Sequence, residues 1–483
     1  MTIFIMIVQL LIVLLALYVG SRFGSLALGA ISGIGLAVLV FGFGMKPGTP
    51  PTEVIYIIIA AVTCAGILQA SGGMDWLIQL AERLLRRHPG GIVFLAPLCT
   101  FFLTVLVGTG HVVYTLMPII VDISIKKNIR PERACAVASV ASQVGIICSP
   151  IAAAVVAFVG ISNMSGFDIT IPQVLFLTIP SCLCGILAAA ACSYKRGLDL
   201  DKDPVYQEKL RDPEQRKYIL GDESATTLGK EIPRSAKAAV FVFLGALAVI
   251  VMFAVFPQLL PEYTTIQAVK GAASVSLQGG ADISAVQLAK AGVLLPGATE
   301  EVSKDIRMNV VIQIVILTAA ALMIMFCRAS PKKAVSGAVW QSGMVAVVAI
   351  YGIAWLADTY FSNYMGTMKD MLGGIVSAYP WTIALAFFAV SVLINSQGAV
   401  VASMLPLAYS LGIPGPVLLG VFPSVYGYFF VPNYPSDIAT VNFDRTGTTV
   451  IGKYLLNHSF MLPGLVSVIT STLVGYCLSL FFY

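Results

Sequence analysis

Long apolar runs recur along the whole chain, separated by short polar joints. A helix needs about 20 apolar residues to cross a bilayer. Ten segments meet that length: roughly 3–20, 24–44, 52–71, 134–157, 171–194, 238–257, 308–327, 333–357, 414–431 and 458–482. Two more regions, about 90–122 and 381–411, are apolar but interrupted, the first at Gly108-Thr109-Gly110, the second at Asn395-Ser396-Gln397-Gly398. Each predicts a re-entrant helical hairpin with its tip inside the membrane; the alternative is two spans joined by a surface turn. Asp75–His88 instead mixes charges with apolar residues at helical spacing, which predicts an amphipathic helix. The first run has no basic leader and no small-residue cleavage site, so it reads as a span and not a signal peptide.

Composition narrows the class. Hydrophobic residues make up 58% of the chain and charged residues 11%, with mean hydropathy +0.90. A soluble globular protein carries about 25% charged residues, and a disordered chain is poorer still in apolar ones. Both classes are excluded. More than half of the charges sit in two polar stretches, 195–237 and 258–307. The net charge of +5 therefore argues for oriented loops and not for nucleic acid. The nine cysteines all lie in or beside apolar segments, and none forms a CxxC pair, so neither a disulfide framework nor a metal site is expected. No cofactor is implied.

With the N-terminus outside, the short inner segments collect Arg22, Arg83, Arg86, Arg87, Lys126, Lys127, Arg130, Arg133, Arg328, Lys332, Lys333, Arg445 and Lys453. The short outer segments collect only Lys46 and Lys369. This positive-inside bias puts both termini in the periplasm, 195–237 in the cytoplasm and 258–307 outside. The expected organisation is a first transmembrane half over 1–194, a cytoplasmic loop over 195–237, and a second half over 238–483.

The halves share sequence. Residues 110–118, GHVVYTLMP, align with 398–406, GAVVASMLP. Farther on, Ser142-Gln-Val-Gly145 with Pro150 aligns with Ser424-Val-Tyr-Gly427 with Pro432. Two matches in the same order indicate a duplication. An odd number of spans between them inverts the second copy. The predicted fold is thus an all-α polytopic membrane protein, about ten transmembrane helices plus two re-entrant hairpins in an inverted repeat. Such folds are typical of secondary transporters, with the site at broken helices near the midplane.

A helix broken in hydrocarbon exposes N–H groups that need partners, and the first of them attract anions. Gly110 and Gly398 allow close approach, while Thr109, Asn395, Ser396 and Gln397 add neutral donors. Ser149 and Asn433, beside the second pair of breaks, complete the candidate substrate-binding set. Two tips suit a molecule with two anionic ends. Ionisable residues at depth are few. His111 is a candidate carboxylate donor or proton acceptor, or a hydrogen-bonded structural histidine. Asp437 is a candidate regulatory or coupling residue, or a solvated helix cap. HExxH, Walker A and GxSxG motifs are absent, so no catalytic residue is assigned and the chain is not read as an enzyme.

Longer motifs now bear on identity: LLRRHP (84–89), GTGHVVYTLMPII (108–120), IKKNIRPERA (125–134), NYPSD (433–437) and FDRTGTTVIGKYLLNHSFMLPG (443–464). With these the chain resembles the bacterial anaerobic C4-dicarboxylate transporters, the Dcu family, its B-type branch above all. The resemblance implies exchange of fumarate, malate or aspartate against succinate across the inner membrane, in anaerobic fumarate respiration. For some B-type members it also implies a membrane sensor histidine kinase as partner, with the NYPSD aspartate, Asp437, in regulation. Two other readings remain: a proton- or sodium-coupled carboxylate symporter of the same fold, and a transporter-derived co-sensor.

The charge bias generates a test. Single cysteines at Ser224 and Ser284, in a cysteine-free background, are expected to react oppositely with an impermeant thiol reagent. Labelling of Ser224→Cys from outside intact cells would reverse the orientation.

Overall fold

The computed structural model describes residues 2–23, 25–50, 52–220, 226–268, 275–276, 282–283, 299–306, 308–394, 396–432, 434–452 and 457–483. The first half is built from α1 (Thr2–Arg22), α2 (Ser25–Ala37), α3 (Thr52–Ala70), α4 (Gly73–Arg87), α5 (Ile92–Val107), α6 (Val113–Lys126), α7 (Pro131–Val144), α8 (Ala153–Met164) and α9 (Ile171–Ser193). The polar stretch after it holds two short helices, α10 (Pro204–Lys209) and α11 (Pro213–Leu220). The second half has α12 (Arg234–Val255), α13 (Met308–Cys327), α14 (Pro331–Ser336), α15 (Ala338–Ala378), α16 (Ile383–Leu393), α17 (Gln397–Ser410), α18 (Gly415–Gly420), α19 (Pro435–Phe443) and α20 (Met461–Phe482).

The chain is an all-α polytopic membrane protein. Seven helices among the described residues are long and apolar enough to cross a bilayer, or eight if the bent pair α3–α4 is one span. Shorter apolar helices lie at Phe4–Gly20, Leu26–Gly42 and Pro380–Val392. Large apolar side chains stay exposed on the outer helices, with Phe4, Phe41, Phe241 and Phe481 each more than 60% accessible. In water such surfaces would drive association; against lipid they carry no penalty.

Two expected spans take another form. Residues 414–431 are not a span: α18 stops after six residues, a 3-10 turn covers Phe422–Val425, and irregular backbone runs on to α19. Pro423, Gly427 and Pro432 punctuate this stretch too closely for a helix to continue. The segment 134–157 likewise breaks, through a 3-10 turn at Gly145–Cys148 and extended backbone at Ser149 and Ala152. Conversely, the span expected at 333–357 and the separate segment after it are largely one helix, α15, of 41 residues. No proline interrupts it.

The interrupted regions do break where the polar residues lie. Gly108 ends α5 in the left-handed conformation (φ 80°) that favours glycine, and Thr109 is extended. Ile394 ends α16 and Ser396 is extended before α17. With 14 residues α6 reaches about 21 Å, and α16 and α17, with 11 and 14, about 17 and 21 Å, short of a hydrocarbon core of about 30 Å, whereas α5 with the turn before it, Pro89–Val107, is one of the seven long enough to cross.

Two compact units are present. The smaller, Ala246–Val315, contains an antiparallel ribbon in which β1 (Glu262–Ala268) pairs with β4 (Thr299–Asp305), plus the two-residue pair β2 (Val275–Ser276) and β3 (Asp282–Ile283). Thr, Ile and Tyr give β1 its strand preference.

The larger unit, Met1–Gly245 with Ile316–Tyr483, holds both sets of breaks. Here α9 packs along α20, so the last helix of one half lies against the last of the other, while α5 packs on α7, and α15 on α2 and α17. All fourteen residues of α7 are buried. Its alanines, serines and Cys135 are small enough to be crowded from every side.

Ion pairs gather the polar ends of this unit. Arg133 bonds Asp199 Oδ1 and the carbonyls of Arg196 and Gly197 at 2.7–2.8 Å. Arg130 bonds Glu132 and Asp203, and Lys209 donates to the Thr446 carbonyl. Farther along, Thr226 and Thr227 donate to the fully buried Glu82 carboxylate of α4. The loop 195–237 is thus strapped to α4, to the start of α7 and to the chain after α19, which puts those segments on one face.

Close backbone contact at one crossing predicts a stability difference. A Cβ on Gly29 would fall onto the Val348 carbonyl of α15, with Ala349 Cα at 2.8 Å, whereas one on Gly33 meets nothing within 4 Å. Gly29→Val is expected to cost at least the 1–3 kcal/mol or so of overpacking and to lower the melting temperature in detergent. Gly33→Val is expected to melt like the unmodified protein, and equal losses in both would refute this packing.

Candidate functional site

The breaks meet around a cavity of about 640 Å³ inside the larger unit. That size falls in the range of small-molecule sites. The polar side chains lining it are Thr109, His111, Tyr114, Ser396, Gln397, Tyr428 and Tyr434. No Lys, Arg, Asp or Glu lines it among the described residues.

At the first tip, Thr109 caps a 3-10 turn over Gly110–Val112. Its hydroxyl oxygen accepts from His111 N at 3.4 Å and lies 2.7 Å from His111 Nδ1. Where the hydroxyl donates to Nδ1, the neutral imidazole carries its hydrogen on Nε2; in the other tautomer Nδ1 donates to the hydroxyl. At the second tip, Ser396 caps α17, its Oγ accepting from Ala399 N at 3.3 Å. The Val400 amide closes on the Ser396 carbonyl. The amides of Gln397 and Gly398 belong to the first turn, where a helix supplies no partner. Both residues line the cavity.

Behind the tips lies a buried amide network. Gln397 Nε2 donates to the Gln143 carbonyl at 2.8 Å, and the Tyr428 hydroxyl donates to Gln143 Oε1 at 2.8 Å. Tyr428 stacks at a tilt on Tyr434, with ring centroids 4.6 Å apart. Asp437, in the first turn of α19, is buried and accepts from Ser139 Oγ at 2.7 Å.

Of the residues picked from the sequence, Thr109, His111, Ser396, Gln397 and Gly398 come together on the cavity wall. Gly110 does not line it. A Cβ there would run into the Gln143 amide, with Cδ at 2.9 Å, so this glycine makes room for a neighbour and not for a ligand. Ser149 is fully buried and bonds the Ile151 amide of its own turn. Asp437 is 1% exposed, which removes the solvated-cap reading. Asn395 and Asn433 lie outside the described residues. Gln143, Tyr114, Tyr428 and Tyr434 were not picked from the sequence. Gln143 sits within the repeated Ser142–Gly145 match, and Tyr434 within NYPSD, so both had a signal in the chain. Among the described residues no group of three His, Cys, Asp or Glu side chains is placed to hold a metal.

With this geometry in hand, comparison with known proteins is informative. The family model described as "Anaerobic c4-dicarboxylate membrane transporter" matches residues 5–483. The chain belongs to that family. It is 42% identical over 472 residues to the anaerobic C4-dicarboxylate transporter DcuB of Escherichia coli O157:H7, covering 97% of each chain. To the C4-dicarboxylate transporter DcuA of Wolinella succinogenes it is 32% identical over 475 residues, covering 97% of this chain and 98% of that one. Among solved structures, Neisseria gonorrhoeae MtrF, from a class of antimetabolite efflux pumps, matches with a TM-score of 0.51 at 13% identity. The match covers 87% of this chain and 80% of MtrF, and it shows a shared fold only. The DcuA–DcuB family is thus identified over the breaks as well as the outer helices.

The buried network predicts opposite outcomes for two substitutions. Tyr428→Phe leaves Gln143 Oε1 without its donor, which costs about 1–3 kcal/mol and is expected to lower the melting temperature. Asp437→Asn keeps an oxygen for Ser139, so it is expected to melt no lower than the unmodified protein. A large drop for Asp437→Asn alone would reverse the assignment.

Proposed function

We propose that this protein is a secondary transporter that exchanges C4-dicarboxylates across the bacterial inner membrane. Fumarate, malate or aspartate enters and succinate leaves, as anaerobic fumarate respiration requires. The observation that carries the reading is the meeting of two capped helix starts, one from each half, on one cavity without fixed charge. Each start offers a carboxylate backbone N–H groups and a hydroxyl or amide: Thr109 with His111 on one side, Ser396 with Gln397 and Gly398 on the other. Family membership and the printed activities of the DcuB and DcuA relatives support it.

A dianion suits this lining better than a monoanion, since one carboxylate leaves one tip empty. The lack of lining cations matters as much. A Lys or Arg buried in the lining would cost several kcal/mol to desolvate unless it were fully paired. Neutral donors and helix starts carry no such penalty.

In the same reading, 90–122 and 381–411 are re-entrant hairpins, and the halves form an inverted repeat with both termini periplasmic. The short helices of the second hairpin and the common face of the basic segments support this arrangement. Asp437 lies behind Tyr434 and Pro435 of the wall, where it would act on the site without touching the substrate.

Counterflow in proteoliposomes tests the proposal. Vesicles loaded with unlabelled succinate are expected to accumulate labelled succinate without an imposed ion gradient. Fumarate and malate should compete at least tenfold better than lactate, the equivalent of losing one charge-assisted contact of about 1.5–3 kcal/mol. Equal competition by lactate would refute the two-tip site. Strict dependence on a proton or sodium gradient would replace exchange by symport.

A further inference from the structure

Four broken segments surround the cavity, and Gln143 belongs to one of them and contacts the other three through its side chain or its carbonyl. Gln143 is the penultimate residue of α7, 2% exposed. Its carbonyl accepts from Gln397 at the tip of the second hairpin, and its Oε1 accepts from Tyr428 in the irregular stretch before α19. Its Nε2 makes longer contacts to Ser142 Oγ at 3.3 Å and Ser436 Oγ at 3.4 Å. On its remaining side the amide lies against Gly110 at the first tip, close enough to forbid a Cβ. The first hairpin therefore rests on the side chain of a residue whose backbone holds the second.

We propose that Gln143 is a positioning residue: it sets the distance between the two hairpin tips and so selects diacids of four-carbon length. The inference rests on the dicarboxylate reading of this cavity. Two anion sites at a fixed spacing match one chain length. A diacid one methylene shorter or longer satisfies one tip and strains or misses the other. The spacing can be fixed only by a rigid body in contact with both tips. Gln143 qualifies, because α7 is buried along its whole length and the amide is bonded at both ends. The lining residues themselves do not qualify, since each belongs to one side.

Chain-length selectivity is the readout, because a purely structural role would lower transport of all diacids alike. Inhibition of succinate counterflow by malonate, succinate and glutarate gives the ratios. Gln143→Ala is expected to cut the preference for succinate over malonate and glutarate roughly tenfold, with apparent KM rising more than kcat falls. Gln143→Met keeps the bulk against Gly110 without the amide bonds. It is expected to reduce the preference by a smaller factor, and it carries the test if the alanine variant does not accumulate.

A double-mutant cycle checks the contact itself. Gly110→Ala alone is expected to impair succinate transport by pushing the amide away. In the Gln143→Ala background the same change is expected to have little further effect. Unchanged length ratios in both Gln143 variants, or an equal effect of Gly110→Ala in both backgrounds, would overturn the role of Gln143 while leaving dicarboxylate exchange intact. Absence of succinate counterflow in the unmodified protein would instead sink the dicarboxylate reading.

Discussion

Inside hydrocarbon a backbone amide has no water to bond, and unbroken helices meet that demand segment by segment. Among the described residues four interruptions surround the cavity, and each is supplied with internal partners. Thr109 and Ser396 cap the two hairpin tips with their side chains. Ser149 takes the Ile151 amide at the third break. At the fourth, Phe430 N closes on Gly427 O and Asp437 N on Tyr434 O. The amides of Gln397 and Gly398, in the first turn of α17, belong to residues that line the cavity. The need to satisfy the backbone thus makes the breaks expensive everywhere except around a site that can use them.

That constraint also explains how charge is distributed. The lining offers hydroxyls, amides, an imidazole and helix starts, but no fixed ion among the described residues. The ionic side chains gather instead at one polar face. There Glu82, Arg86, Asp122 and Lys126 tie α4 to α6, and Glu132 is held by Arg130, Arg196 and Ser459. The loop 195–237 closes over that face and touches segments of both halves. Its strap-like course keeps the ends of the broken helices from fraying into solvent. A neutral inner site and a cross-linked polar face divide binding and cohesion between neutral and charged groups.

The likeness to MtrF illustrates that a fold carries an architecture and not a cargo. Specificity must come from the few side chains at the breaks. In this chain Gly110 and Gln143 pack against each other at the first tip. Gly110 and Gln143 fit each other as a pair, so neither can be interpreted from its own chemistry alone.

Much of this was legible in the chain. Apolar run lengths are set by bilayer thickness, so the membrane class and the positions of most helices followed from composition and spacing. The two hairpin breaks followed from Gly108–Gly110 and Ser396–Gly398, because glycines and polar residues clustered at one point interrupt an apolar helix. The repeated motifs suggest a duplication, and the polar breaks beside them mark Thr109, His111 and Ser396 as candidates. Tertiary structure decided the rest. An apolar stretch such as 414–431 has the hydropathy of a span, and only the surrounding packing permits its irregular backbone. Hydropathy likewise cannot say that Asp437 is buried, that Gly110 faces a side chain and not the cavity, or that Gln143 joins both tips. Those are contacts between residues some 30 to 300 positions apart. Local sequence sets which backbone can bend; the partner waiting across the bend is chosen by the packing of the whole chain.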